Sequence, residues 1–172
     1  MRLIVADSSP LIALASSGHI GVLLELITDV VIPETVFQEC TVQNSKPGAQ
    51  SILDAVASDR IHRVADPNID AFRDIDDLDT GEACAISLAT IMKSAILIDD
   101  AVGREVARAH QVGVIGGCGI LLMAKQRGLI SKIKPIIDVW KSEVGYFLSD
   151  ALIQDVLRKA GEIPQPGGPW KP

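Results

Sequence analysis

The chain reads as an α/β fold, a three-layer αβα sandwich built on a central, mainly parallel sheet. Two observations predict it. Short, strongly apolar runs at 2–7, 29–32, 95–99 and 112–115 have the look of buried strands. Between them lie helix-length stretches that begin with start signals, Ser9-Pro10 and Asp79-Thr80-Gly81-Glu82 among them. Strands that alternate with helices imply a parallel sheet covered on both faces.

Residues 2–7 form the first strand, and the helix after it is expected to open with Ser9 as N-cap and Pro10 at the first helical position, closing at Gly18. Residues 20–27 continue as a short helix, 29–32 as a strand, and Pro33 starts the helix that carries Glu39. The segment 43–48 is a loop, 49–58 a helix, and 61–65 a short strand leading into an acidic linker at 66–78. Asp79-Thr80-Gly81-Glu82 opens a helix running to about Met92. A strand at 95–99, a helix at 101–110 and a strand at 112–115 follow. Helices at about 118–127, 132–143 and 149–160 complete the chain. One domain is expected over 1–162, with a loose Pro/Gly-rich tail at 163–172.

At 172 residues the chain is long enough to bury a substantial core, and with six aromatic residues that core is aliphatic. No apolar stretch reaches the roughly 20 residues that cross a bilayer. MRLIVADSSP is too short and too early acidic for a signal peptide. Cys40, Cys84 and Cys118 have neither zinc spacing nor a disulfide framework and read as small buried residues of a reducing, cytoplasmic compartment. The net charge of −6 argues against indiscriminate nucleic-acid binding, but it is unevenly spread. Residues 66–82 hold seven acids against Arg73 alone, whereas 101–141 hold seven Lys or Arg against Glu105 and Asp138. A basic half beside an acidic pocket suits a phosphodiester backbone. For any single one of these basic residues, a solvated helix face is the plainer reading.

Acidic residues sit where strands or first helical turns should end: Asp7, Glu39, Glu82 and the pair Asp99–Asp100. Three of these four places adjoin apolar runs, where an ionised carboxylate is costly unless something neutralises it. In parallel α/β sheets, ligands sit beyond the carboxyl ends of the strands, so these acids share an address. Carboxylates gathered from distant parts of a chain suit Mg²⁺ or Mn²⁺, which prefer oxygen ligands. The glycines at 113, 116, 117 and 119 lack the Lys-Ser/Thr of a phosphate loop, and His19, His62 and His110 share no useful spacing.

Taken in order, Asp7-Ser8-Ser9-x-Leu11-Ile12, Ile32-Pro33 leading to Val36 and Glu39, Glu82 opening a helix of small residues, and Asp99–Asp100 after a strand resemble the PIN-domain family, the fold of VapC-type toxin ribonucleases. The resemblance covers roughly 2–116 and is nearest to a subgroup with a G-E-A helix start and an I-D-D/E segment. It implies Mg²⁺ or Mn²⁺ held by Asp7, Glu39, Glu82 and Asp99, hydrolysis of RNA (tRNA or rRNA by analogy) leaving a 5′-phosphate, a homodimer, and a cognate antitoxin.

Each candidate also has a plainer reading. Asp7 could orient the turn after the first strand, although Ser9 is expected to fill the cap and leave Asp7 without a local task. Glu39 alone would pass as a solvated helical residue. Glu82 stands at the third helical position after Asp79 and fits a capping box as well as a ligand. Asp99 and Asp100 must point to opposite sides of an extended chain. Asp99 is the preferred ligand and Asp100 the second candidate, able to cap the helix that follows. Ser8 and Ser9 could hold a water or phosphate or serve as caps; Arg104 and Arg108, one turn apart, could meet a substrate phosphate or form surface ion pairs. Two alternatives to a nuclease remain. One is an inert PIN-like module that binds RNA or protein, credible because Glu82 stands where Asp is usual and Ile98 where Thr or Ser is usual. The other is a phosphoacceptor receiver, disfavoured because the strands at 29–32 and 112–115 end in Ile-Pro and Ile-Gly.

Overall fold

The computed structural model describes residues 2–42 and 48–164. Residues 43–47 of the loop expected at 43–48, and 165–172 of the expected tail, lie outside them. Two compact units are present, Met1–Gly117 and Cys118–Pro172.

The first unit has a five-stranded, wholly parallel sheet among its described residues, of order β3-β2-β1-β4-β5. The strands are β1 (Leu3–Ala6), β2 (Asp29–Pro33), β3 (Ile61–Val64), β4 (Ala95–Leu97) and β5 (Val114–Ile115). The register pairs Ile4 with Val30 on one side and with Ala95 on the other. The connecting helices are α1 (Ser8–Ser16), α2 (Ile20–Leu26), α3 (Glu34–Thr41), α4 (Ala49–Ala57), α5 (Thr80–Met92) and α6 (Ala101–Ala109). Together they give the three-layer α/β architecture that the alternating pattern predicts. Ile4, Val5, Ala6, Val30, Ile32, Ile96, Leu97 and Ile98 are fully or almost fully buried, as unbroken apolar strands in a two-sided sheet must be.

The order of the strands places the site. From β1 the chain steps outward to β2 and β3, then returns to the other side of β1 for β4 and β5. Connections of opposite direction leave β1 and β4 on the two sides of a topological switch point, where α/β sheets form their ligand crevice. Here the Asp7 N–H donates to Leu97 O at 2.9 Å, so the ends of β1 and β4 are tied together at that crevice. Helix α5 packs on β1, β2 and β4 and also meets α3 and α6, which brings its first turn to the same place.

One helix start differs from expectation. The N-cap of α1 is Asp7, whose side chain accepts from the Ser9 N–H, and the helix begins at Ser8. Pro10 therefore occupies the third helical position. It is harmless there, because the first N–H groups of a helix have no intrahelical partner. Gly18, at φ +74°, supplies the left-handed residue just beyond the Ser17 C-cap. Pro33 ends β2 and caps α3 from outside it.

The second unit carries α7 (Gly117–Gln126), which begins one residue earlier at the unit boundary, α8 (Lys134–Val139) and α9 (Asp150–Lys159). A π-helical turn at Trp140–Val144 extends α8 where an ordinary helix is expected, and the Trp140 ring meets Tyr146 edge-on at 5.3 Å. The Glu162 carboxylate joins this unit together. It accepts from Lys125 Nζ at 2.7 Å and from the N–H groups of Ile133 and Lys134 at 2.6 and 2.9 Å. Among the described residues no single helix is long and apolar enough to cross a membrane. The bent pair α1–α2 passes on length and composition together, but its apolar residues Leu11, Leu14 and Leu23 are core residues here.

Candidate active site

Asp7 follows directly on β1 and is 2% exposed. Its Oδ2 faces the Ser9 N–H at 3.5 Å, a long hydrogen bond, so one oxygen serves the start of α1. Its Oδ1 is the one fully buried side-chain polar atom among the described residues without a hydrogen-bond partner. A buried acceptor left in that state costs free energy, so it is unusual unless something else is meant to meet it. Burial pushes the Asp7 carboxyl up to about 8; the Ser8 amide opposes that rise, and the charges of Glu82, Asp79 and Glu39 add to it.

Glu82 stands in the first turn of α5, which is capped by a complete capping box. Asp79 Oδ1 accepts from the Glu82 N–H at 2.8 Å, and Glu82 Oε2 accepts from the Asp79 N–H at 3.1 Å. The capping reading of the sequence is thus observed. Glu82 is nevertheless buried, and burial, with the charges of Asp79, Asp100 and Glu39, raises its carboxyl to about 7 against the lowering effect of the Asp79 amide. Its Cδ lies 3.6 Å from where a Cβ on Gly103 would stand, so this carboxyl also borders the first turn of α6.

Glu39, in the last turns of α3, is exposed as a residue, but its carboxylate lies down against Gly81 of α5. The water it loses there raises its pKa; a hydrogen bond with the Ser8 side chain opposes that rise, and the charges of Asp79 and Asp66 reinforce it. Three of the acids singled out in the sequence, far apart along the chain, therefore act on one another at the ends of β1 and β4.

The aspartate pair divides as an extended chain requires. Asp99 Oδ2 accepts from the Gly117 N–H at 2.8 Å, and its Oδ1 lies 3.8 Å from Arg104 Nη1. Asp100 Oδ1 accepts from the Gly103 N–H at 2.9 Å and caps α6. It is Asp100 whose charge contributes to the raised pKa of Glu82. Geometry therefore puts Asp100 on the Glu82 side, while Asp99 holds the turn from β5 into α7. That turn contains the glycines with a superficial likeness to a phosphate loop, and the Gly117 amide is already occupied by Asp99.

Ser8 reaches Glu39, whereas Ser9 is exposed and contributes its amide to the Asp7 cap. Arg104 donates to Ile98 O at 3.4 Å and belongs to the rim. Arg108 is exposed in the last turn of α6, at the end away from the strand ends. Two contributors went unassigned in the sequence. Asp79 acts on Asp7, Glu39 and Glu82 alike. Asp66 accepts from Thr35 N–H and Oγ1 at 2.9 and 2.7 Å, fastening the acidic linker to the start of α3. The density of acids over 66–82 was the available signal for both. Burial and the charge of Asp66 lift the Cys84 thiol to about 11, and burial with Asp7 and Glu39 lifts Cys40 further, so neither is a thiolate near neutral pH.

Among the described residues, no group of three His, Cys, Asp or Glu side chains is arranged to hold a metal ion as it stands. The donor chemistry does fit a hard divalent cation. All the converging groups are carboxylates, and one buried oxygen among them has no partner. Asp7, Glu39, Glu82 and Asp100 or Asp99 are the residues able to supply ligands.

No curated protein gives a significant match to the chain. A family model for the PIN domain matches residues 3–162, which covers most of each compact unit and extends the resemblance well past residue 116. The buried carboxylates at the switch point thus lie in a chain that, over nearly all its length, belongs to the PIN-domain family.

Proposed function

We propose that this chain, as a member of a family whose domains are in general nucleases that typically use divalent metals, is a Mg²⁺- or Mn²⁺-dependent endoribonuclease, and that it acts as the toxin of a toxin–antitoxin pair. The unpartnered, buried Oδ1 of Asp7, set among Glu39, Glu82 and Asp79 at the strand ends, is the observation that carries the reading. An ion bound there supplies a water of lowered pKa and neutralises charge on a phosphodiester. The residues do the rest. Asp7 Oδ1 offers a desolvated oxygen, Ser8 steadies Glu39, and the amides of the α1, α5 and α6 first turns place positive helix ends around the cluster. Arg104 is the rim residue suited to a substrate phosphate, and its contact with Asp99 keeps it there.

With few aromatics in the chain, the RNA is recognised through phosphates and shape rather than stacked bases, which favours a folded target such as tRNA or rRNA. A homodimer and a cognate antitoxin that covers the acidic rim complete the proposal. The test is purified protein incubated with total RNA, with Mn²⁺ or with EDTA, and new 5′ ends mapped. Ends that appear only with Mn²⁺ and are lost in Asp7→Asn support it; none from a protein that binds Mn²⁺ refutes it. That second result would favour an inert RNA- or protein-binding module, a reading supported by Glu82 and Asp100 each giving an oxygen to a helix cap.

A further inference from the structure

Gly81 is the second residue of α5, buried and helical, and its backbone shows no left-handed φ that would demand glycine. Its reason lies across the site. A Cβ built there would find only the Glu39 carboxylate as its nearest neighbours, in contact with Oε1 and at 2.6 and 2.8 Å from Oε2 and Cδ. The carboxylate points both oxygens at the bare Cα, with the Ser8 hydroxyl bonded to it from the start of α1. We propose that Gly81 is a positioning residue: by lacking a side chain it seats Glu39 between the first turns of α1 and α5, where the candidate metal centre needs it. The metal part of this inference rests on the nuclease reading; the seating of Glu39 does not.

The chemistry makes an unusual combination testable. The atoms in the way are the far end of a flexible side chain, so Gly81→Ala folds, with Glu39 swinging aside. Ordinary contact begins at 3.4 Å, so the carboxylate must retreat by roughly an ångström, a displacement able to cost about a hundredfold in a catalytic site. Replacing a helical Gly by Ala also favours the helix. The variant should therefore keep or raise its metal-free Tm while binding Mn²⁺ at least tenfold more weakly.

The experiment takes the full chain as wild type, Gly81→Ala, Glu39→Gln and the double variant. It measures metal-free Tm, the carboxyl ¹³C resonance of Glu39, and Mn²⁺ affinity by calorimetry. Support requires the Glu39 resonance to move in Gly81→Ala, Mn²⁺ affinity to fall, and no further loss when Gly81→Ala is added to Glu39→Gln. An unmoved resonance overturns the proposal, and so does an equal further loss in the Glu39→Gln background. If wild type binds no Mn²⁺, the nuclease reading fails while the resonance still decides the role of Gly81. Should Gly81→Ala lower Tm instead, Ser8→Ala, which adds no volume, must move the same resonance or the seat does not exist.

Discussion

Asp7→Asn should make the metal-free protein more stable at neutral pH and less pH-sensitive, although it removes the central candidate ligand. The folded Asp7 carboxyl is raised from 3.8 to about 8, chiefly by burial. A carboxyl whose folded pKa lies above its unfolded value binds more protons folded than unfolded. Stability is therefore greatest below about pH 4 and declines as pH rises towards 8. At about 1.4 kcal/mol per unit, a shift of this size sets a ceiling of about 6 kcal/mol on the cost of ionising Asp7 in the fold. Local opening will lower it to a few kcal/mol. Asn is as good an N-cap as Asp, so α1 keeps its start.

Urea unfolding followed by far-UV circular dichroism in EDTA, from pH 5 to 8.5, measures this directly. Wild type should lose stability across the range, and Asp7→Asn should flatten the curve, leaving a smaller decline from Glu82 between about pH 4.5 and 7. Saturating Mn²⁺ should then close most of the gap. An ion at a hundred times its dissociation constant adds about 2.7 kcal/mol to wild type and little to the variant. An Asn variant less stable than wild type at pH 8 in EDTA, or one whose stability falls as steeply with pH, refutes the reasoning.

Asp100→Asn should weaken Mn²⁺ binding by calorimetry more than Asp99→Asn, because Asp100 acts on Glu82 while Asp99 holds Gly117 and Arg104; the reverse ranking would restore Asp99 as the ligand. Asp79→Ala should lose the α5 cap, a cost of about 1 kcal/mol in urea unfolding. The loss should be smaller at pH 8 than at pH 5, because the variant also removes a charge that repels Asp7 and Glu82 once they ionise. Glu162→Ala should destabilise by about 3 kcal/mol through three lost hydrogen bonds to a nearly buried carboxylate. Burial alone would raise the Glu162 pKa, but the Lys125 hydrogen bond and the two amides outweigh it and lower it. Its contribution is therefore present above about pH 4.3 and is lost on acidification through the lowered folded value, a dependence the Ala variant should lack.

Much of the fold was legible because it rests on local rules. Apolar runs such as 29–32 and 95–97 carry two-sided burial in their composition, and Asp79-x-x-Glu82 states its capping box outright. What failed were features whose cause lies elsewhere in space. Ser9-Pro10 matches a cap followed by proline, but tolerance for proline extends through the first turn, so the motif could not choose between Asp7 and Ser9 as cap. Gly81 looks like a helix-weakening residue until the Glu39 carboxylate is seen above it.

Capping a helix and holding a ligand are not exclusive roles for a carboxylate. A carboxylate has two oxygens, and at the switch point several of them are used separately. Asp7 gives Oδ2 to α1 and leaves Oδ1 unpartnered, Glu82 gives Oε2 to the α5 capping box, and Asp100 gives Oδ1 to α6. Capping fixes where each group stands, and it surrounds the cluster with three positive helix ends that offset part of the repulsion among the acids. Burial first, and the neighbouring acids after it, still hold the carboxyls of Asp7 and Glu82 above their ordinary range. Enough unfavourable charge remains for a cation to relieve, and the groups that would relieve it are held in position by the secondary structure they cap.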